Sequence, residues 1–203
     1  GYASLLEETT NGDEKNFSIR IKEASARLVV LVNDFLEASR IQSGKLKVTL
    51  VEIDVKKTID KVLVDMKSLA DIKNLELKTQ FPTTPIQFLT DEKRLEQILT
   101  NIINNAIKYT NKGEILVSLE NDHVYTTITI ADTGGGISAE DQKKLFSPFV
   151  RVGSSDQNDK VVGSGLGMWI TKKLVEQLHG EISLESIKGV GTHVIIKLRN
   201  KVV

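Results

Sequence analysis

The sequence lacks cysteine, is poor in aromatic residues and carries no net charge. Without cysteine there are no disulfides, thiolate metal ligands or cysteine nucleophiles, and this fits a reducing, cytoplasmic compartment. Lys and Arg together number 27, as do Asp and Glu, so no excess charge favours nucleic acid or an anionic membrane surface. The longest apolar run, residues 28–32, is far shorter than the roughly 20 residues that cross a bilayer. We expect a fragment that contacts neither membrane nor nucleic acid, with a parent protein that could be membrane-anchored.

The first part of the chain, residues 1–45, predicts a helical hairpin. A short helix at 1–9 and a turn at 10–13 precede a long helix at 14–43, which ends at Gly44. Apolar residues recur along the long helix at alternating spacings of four and three: Phe17, Ile21, Ala24, Leu28, Leu31, Phe35 and Ala38. Val29, Val32 and Leu36 widen this heptad seam to the breadth of a four-helix bundle. We expect a homodimer through the hairpin, the alternative being a helix packed on its own domain.

The remainder, residues 46–203, has a mixed pattern that predicts a second domain of α+β class. Helices are expected at 55–73, 91–109, 139–145 and 166–178, and strands at 47–53, 75–81, 114–120, 125–131, 181–186 and 191–198. The last four strands form two hairpin-like pairs, which indicate a mixed rather than a parallel sheet. We therefore predict an α/β sandwich with its helices on one face.

The helix at 91–109 carries a polar stripe opposite its apolar face. Asn101, Asn105 and Lys108 stand at i, i+4 and i+7, and Asn is a middling helix former. Amide oxygens in this position suit a hard cation, and the lysine suits a phosphate. An ordinary solvated face would give the same pattern, so this stripe is not decisive alone.

Two glycine-rich segments add further signals. Asp132 follows a predicted strand and opens a run of three glycines, which lets the backbone approach a flat ligand while the carboxylate accepts from an exocyclic amine. The segment 163–167 opens a helix with alternating glycines, so its N–H groups can face an anion. A dinucleotide fingerprint is a poor alternative, because no strand precedes this segment.

The order of these motifs decides their meaning. Asn-x-x-x-Asn-Ala-x-Lys at 101–108, Asp-x-Gly-x-Gly-Ile at 132–137, Leu-Phe-Ser-Pro-Phe-Val-Arg at 145–151 and Gly-x-Gly-Leu-Gly at 163–167 resemble the N, G1, F and G2 boxes of sensor histidine kinases. These enzymes are a branch of the GHKL ATPases, whose catalytic domain has the Bergerat fold. Residues 33–45 resemble the second dimerisation helix of the same family, so the resemblance covers essentially the whole chain.

The resemblance implies roles for the residues that contact Mg²⁺-ATP. Asn105 corresponds to the leading Mg²⁺ ligand and Asn101 to an assisting one, while Lys108 faces the phosphates and Tyr109 lies against the nucleotide. Asp132 corresponds to the acceptor for the adenine amino group. The other nucleotide-binding positions shape the base pocket or approach the phosphates: Gly134, Gly136, Thr192, Gly163, Gly165, Leu166 and Gly167.

The resemblance also implies a catalytic residue and the type of reaction. Arg151 is expected to stabilise charge on the transferring γ-phosphoryl group, next to a mobile lid at 152–164. Family members that hydrolyse ATP carry a glutamate base where Asn101 stands, and an amide cannot accept a proton, so transfer to a protein nucleophile is favoured over hydrolysis.

The three histidines of the chain, His123, His179 and His193, do not match the family's phosphoacceptor. We expect that histidine upstream, on the first dimerisation helix, with onward transfer to an aspartate of a response regulator receiver domain. A serine kinase of the anti-sigma type and a nucleotide-dependent scaffold without transferase activity are the alternatives.

Overall fold

The computed structural model describes residues 13–150 and 164–200, which form five helices and seven strands. The helices are α1 (Asp13–Gln42), α2 (Val55–Ile72), α3 (Glu92–Tyr109), α4 (Ala139–Gln142) and α5 (Gly167–Gln177). The strands are β1 (Val51–Asp54), β2 (Leu75–Gln80), β3 (Gln87–Thr90), β4 (Gly113–Asn121), β5 (Tyr125–Asp132), β6 (Gly180–Ile187) and β7 (Gly191–Arg199). The predicted short helix at 1–9 lies outside the described residues.

Five of the strands form one mixed sheet in the order β2-β4-β5-β7-β6. The β2–β4 pair is parallel, and the other three pairs are antiparallel. The short strands β1 and β3 pair with each other in a separate antiparallel ribbon, with Val51 opposite Thr90. The predicted mixed sheet is confirmed, whereas β3 was not predicted.

The core lies between one face of the sheet and the helices α2, α3 and α5. Alternate residues of the central strands are buried, and Ile128 of β5 lies opposite Leu119 of β4 and Ile196 of β7. The apolar face of α3 packs onto this surface with seven buried side chains: Leu95, Ile98, Leu99, Ile102, Ile103, Ala106 and Ile107. Alternation in the strands and a 3.6-residue period in the helix therefore bury the same interface, and the predicted α/β sandwich is confirmed.

Helix α1 behaves differently along its length. Large apolar side chains on its heptad stripe are exposed, among them Phe17 and Leu28, whereas Ala38 and Ile41 near its C-terminal end are buried against the rest of the chain. The carboxylate of Glu37 accepts hydrogen bonds from α3, from Arg94 Nη1 at 2.9 Å and from the Gln97 side-chain amide at 2.5 Å. Across the described ranges, no helix is long and apolar enough to cross a membrane.

Candidate nucleotide-binding site

Helix α3 carries the asparagine motif and is fixed at both ends by side chains. At its start, the Asp91 carboxylate accepts from the backbone N–H of Arg94 at 3.2 Å and of Thr49 at 2.8 Å. At its end, the Lys73 ammonium donates to three backbone carbonyls at 2.8–3.0 Å, those of Ile107, Lys108 and Thr110. A cation there also complements the negative end of the helix dipole, so the end of the motif is held in place from α2.

The polar stripe of α3 meets the N-terminus of α5. Asn101 donates from its side-chain amide to the Thr171 hydroxyl at 2.6 Å. A Cβ on Gly167 would lie 2.8 Å from the Asn101 amide oxygen, so a side chain there would displace the Asn101 amide. The Asn motif and the last glycine of the 163–167 segment are therefore brought into contact.

The donor set along this stripe fits a hard cation. Asn101 and Asn105 are both half-buried, whereas Asn104 is exposed. The bond from Asn101 to Thr171 uses its NH₂ group and leaves the amide oxygen as the ligand atom. Neutral oxygen donors of this kind suit Mg²⁺, which keeps several waters and phosphate oxygens around it. Within residues 13–150 and 164–200, no cluster of three or more His, Cys, Asp or Glu side chains could hold a metal ion instead.

Asp132 ends β5 next to the glycine run. Its carboxylate accepts from the Gly134 backbone N–H at 2.9 Å and is half-buried. Burial raises the pKa of the Asp132 carboxyl above its ordinary value, against the opposing effect of hydrogen bonds from the Gly134 and Thr192 backbone amides. A half-buried carboxylate is a strong acceptor for a ligand donor.

The turn between β6 and β7 closes tightly over this segment. A Cβ on Gly136 (φ +62°) would lie 2.0 Å from the Ile187 carbonyl oxygen, and one on Gly191 (φ +147°) would lie 2.0 Å from that of Asp132. Only glycine fits at these two positions. Both have a positive φ that residues with a side chain rarely adopt, and the neighbouring backbone leaves no room for a Cβ. Gly136 of the 132–137 motif and Gly191 of β7 therefore set the shape of this wall.

Thr192 belongs to the same wall. It is buried opposite Asp132 in the β5–β7 ladder, and its hydroxyl lies 2.9 Å from that of Ser186. The Ser186 hydroxyl in turn accepts from the Ile137 backbone N–H at 2.8 Å. Sequence reasoning missed Ser186, and an isolated serine in an amphipathic strand gives no signal that would have singled it out.

The end of α3 and the start of the glycine run also meet. A Cβ on Gly134 would lie 2.7 Å from the Tyr109 carbonyl oxygen and 2.8 Å from the Asp132 carboxylate. The Tyr109 side chain is about half exposed, and the Lys108 ammonium lies 5.2 Å from the centre of its ring. The backbone at the end of α3 and the half-buried Asp132 carboxylate therefore lie on the same side of Gly134.

The phenylalanine motif contacts the 163–167 segment. Phe149 has a left-handed backbone (φ +63°), and a Cβ on Gly165 (φ +72°) would lie 2.8 Å from the Phe149 carbonyl carbon. Ser164 donates to the Asp34 carboxylate of α1 at 2.5 Å and accepts from the Leu166 N–H at 3.1 Å. The predicted residues Arg151 and Gly163, with most of the predicted lid, lie outside the described residues.

A cavity of about 450 Å³ lies beside these contacts, between α1, α3 and α5. Its lining includes Asp34, Glu37, Asn101, Gly167 and Thr171. The polar stripe of α3 thus borders open space on the side that faces α1.

Similarity to known proteins identifies the family of this chain. The sequence profile described as histidine kinase-, DNA gyrase B- and HSP90-like ATPase matches residues 90–202, more than half of the chain. The chain belongs to this ATPase family.

Its relatives are sensor histidine kinases. The chain is 35% identical to sensor histidine kinase GacS of Pseudomonas protegens over 205 residues, which cover 98% of this chain and 22% of GacS. Full-length ShkA, solved in complex with AMPPNP, superposes with a TM-score of 0.83 at 25% identity, over 100% of this chain and 42% of ShkA. Histidine kinase AdeS of Acinetobacter baumannii gives a TM-score of 0.76 at 25% identity, over 98% and 91%. The predicted histidine kinase type of ATPase domain is confirmed, and the chain spans less than a quarter of its curated relatives.

The three histidines of the chain all lie outside α1. His123 is in the β4–β5 turn, His179 follows α5 with a left-handed backbone, and His193 is on β7. All three side chains are exposed. None of them is on the helix that the resemblance assigns to the dimerisation hairpin.

Proposed function

We propose that this chain binds ATP with Mg²⁺ and transfers the γ-phosphoryl group to a histidine on a dimerisation helix of its parent protein. A response regulator receiver domain would take the phosphoryl group next, on an aspartate. The observation that carries the proposal is that the end of α3 and the Asp132 carboxylate meet at Gly134. A Cβ added to this glycine would lie within 3.0 Å of both. ShkA, with which the chain aligns over its whole length, was solved with AMPPNP, an analogue of ATP.

Base recognition falls to Asp132 in this proposal. The Gly134 and Thr192 backbone amides donate to its carboxylate, which accepts a further hydrogen bond from the amino group of adenine. Guanine presents a carbonyl at that position, and a carboxylate cannot pair with a second acceptor. The Tyr109 ring covers the base, while Gly136 and Thr192 support the wall behind it.

The phosphates and the metal fall to α3 and to the start of α5. Asn105 and Asn101 would hold Mg²⁺ through their amide oxygens, and Lys108 would contact the phosphates. When bound, Mg²⁺ neutralises phosphate charge and orients the γ-phosphoryl group. Gly165 and Gly167 would present backbone N–H groups at a helix N-terminus, on either side of Leu166, whose own N–H donates to Ser164. Gly163 and Arg151 remain predicted participants.

Phosphotransfer rather than hydrolysis is supported by Asn101. Its NH₂ group already donates to Thr171, and an amide oxygen is too weak a base to activate water. The γ-phosphoryl group is therefore left for a nucleophile delivered from outside the ATP site, and a neutral histidine side chain is such a nucleophile.

Dimerisation is the second part of the proposal. Residues 1–45 would form the dimerisation hairpin and residues 46–203 the catalytic domain. Phe17 is 66% exposed, Leu28 62% and Phe35 61%, so the stripe they share has the character of an interface. The absence of cysteine supports a cytoplasmic location, where the receiver domain would be met.

The test is transfer to a separate acceptor. The chain, labelled ATP and Mg²⁺ are mixed with the acceptor-helix fragment of GacS, with and without Asn105→Ala. We expect acid-labile label on the acceptor fragment, none on the chain itself, and loss of both ATP binding and label in the variant. If calorimetry detects no heat of ATP binding, the proposed site is wrong. If the chain binds ATP but transfers no label, the nucleotide-dependent scaffold is the better description.

A further inference from the structure

Thr110 follows α3 directly and lies beside the proposed base site. It belongs to none of the four sequence motifs. Its backbone is fully paired, because its N–H donates to Ala106 O at 3.0 Å and its carbonyl accepts from Lys73 at 3.0 Å. Its side chain is completely buried, yet the hydroxyl has no hydrogen-bond partner in the part of the chain that the structure describes. Burying an unpaired hydroxyl destabilises a protein, so its position needs an explanation.

The surroundings of this hydroxyl supply one. A Cβ on Gly134 would lie 3.0 Å from the Thr110 hydroxyl, 2.8 Å from the Asp132 carboxylate and 2.7 Å from the Tyr109 carbonyl. The three oxygens thus surround the same side of Gly134. The hydroxyl is the only O–H donor of the three, since a carbonyl and a carboxylate only accept.

We propose that Thr110 is a second specificity-determining residue of the base site, whose hydroxyl joins Asp132 in recognising the amino group of adenine through one bridging water. A water between these oxygens can donate to the carboxylate and accept from the hydroxyl, which fixes the orientation of both. This inference rests on the proposed nucleotide function. It explains why an unpaired hydroxyl is kept where an apolar methyl of the same shape would fit.

The chain offers a matched control. Thr90 has a buried hydroxyl that also lacks a partner among the described residues. It precedes the N-cap of α3, whereas Thr110 follows the C-terminus, so the helix of 18 residues separates them by roughly 27 Å. Replacing either threonine by valine removes an unpaired hydroxyl and keeps the shape, but only one of the two borders Asp132.

The experiment measures melting without ligand and affinity for two nucleotides in the wild type, Thr110→Val and Thr90→Val. The nucleotides are ATP and purine riboside triphosphate, which lacks the amino group. We expect both variants to melt no lower than the wild type. Thr110→Val should bind ATP roughly three- to tenfold more weakly, the effect of one ordinary hydrogen bond, and should bind the analogue unchanged.

Three outcomes would overturn the inference: unchanged ATP affinity in Thr110→Val, an equal loss in Thr90→Val, or a lower melting temperature of Thr110→Val without nucleotide. If Thr110→Val does not fold, Thr110→Ser and Thr110→Ala both lack the methyl, and only the serine should retain wild-type affinity. Equal affinity of that pair contradicts the inference. A wild type that binds neither nucleotide would refute the proposed function itself, so the two failures are distinguishable.

Discussion

Helices α1 and α3 each carry a broad apolar stripe, but only one of the stripes is covered. On α3, Leu95, Ile98 and Leu99 are completely buried under the sheet, whereas Phe17 and Phe35 on α1 are each more than 60% exposed. The periodicity of apolar residues thus indicates which face of a helix is to be buried, not what buries it. For α3 the covering surface is the chain's own sheet. For α1 the described residues bury Ala38 and Ile41 in the last turns but leave the large apolar side chains of the stripe exposed.

The largest expected effect tests this contrast by truncating one leucine on each helix. Leu99→Ala removes a fully buried side chain and should lower the free energy of unfolding by about 2–5 kcal/mol. Leu28→Ala should change the unfolding of the catalytic part by less than about 0.5 kcal/mol, as exposed substitutions do. Urea unfolding followed by fluorescence of Trp169, the single buried tryptophan, measures both. Similar losses in the two variants would show that α1 is part of the same core.

The next effect concerns what covers α1. Phe35→Asp should shift the monomer–dimer equilibrium toward monomer by about 2–4 kcal/mol, because 61% of each of two phenylalanines loses its burial. Sedimentation equilibrium at several concentrations measures the shift. Val64→Asp on α2 is the matched control, since Val64 is even more exposed but lies off the stripe. A dimer that survives Phe35→Asp, or that Val64→Asp disrupts equally, would place the interface elsewhere.

The smallest of the three effects is confined to the nucleotide site. Asp132→Asn should weaken ATP binding roughly ten- to a hundredfold, because hydrogen bonds to charged groups contribute about 1.5–3 kcal/mol. It should reduce the preference for ATP over GTP and leave the dimer unchanged. Calorimetry with each nucleotide measures the change, and unchanged ATP affinity in the folded variant would remove Asp132 from the site.

The raised pKa of Asp132 predicts how stability and ATP affinity of the wild type depend on pH. Burial raises the pKa of the Asp132 carboxyl, so ionising it is less favourable in the folded chain than in the unfolded one. Its contribution to stability is therefore greatest below the ordinary pKa and is lost as the pH rises through the raised one. Asp132→Asn should be at least as stable as the wild type at neutral pH. ATP affinity of the wild type should fall as the pH drops through the raised pKa, and that fall should be absent in the variant.

Local patterns allowed most elements to be predicted. The α3 helix was expected at 91–109 and observed at Glu92–Tyr109 with Asp91 as its N-cap, because periodicity and capping are encoded within a few residues. Strand β3 was missed since it has only four residues and pairs with β1, some 36 positions earlier. The predicted strand at 47–53 begins only at Val51 for the same reason, as β3 offers no partner to residues 47–50.

The contacts that assemble the site were beyond local patterns. Lys73 reaches carbonyls 34 to 37 positions away, and Asn101 meets Thr171 across 70. A lysine that caps another helix has the same sequence signature as a solvated one. The site residues were therefore assigned by resemblance, and their spatial meeting comes from the fold.

The hydrogen bond from Ser164 to Asp34 would make the proposed ATP site sensitive to rotation of α1 about its axis. Asp34 and Glu37 are three residues apart and hence share one side of α1, where they contact Ser164 and Arg94. A rotation of α1 about its axis by about 30° displaces a side chain at a radius of about 5–6 Å by roughly 3 Å, more than the 2.5 Å length of the Ser164 bond. Both contacts would then separate in one movement, directly before the glycines of α5. An angle imposed anywhere along a stiff helix would thereby be delivered to the end of the domain that we propose binds the phosphates.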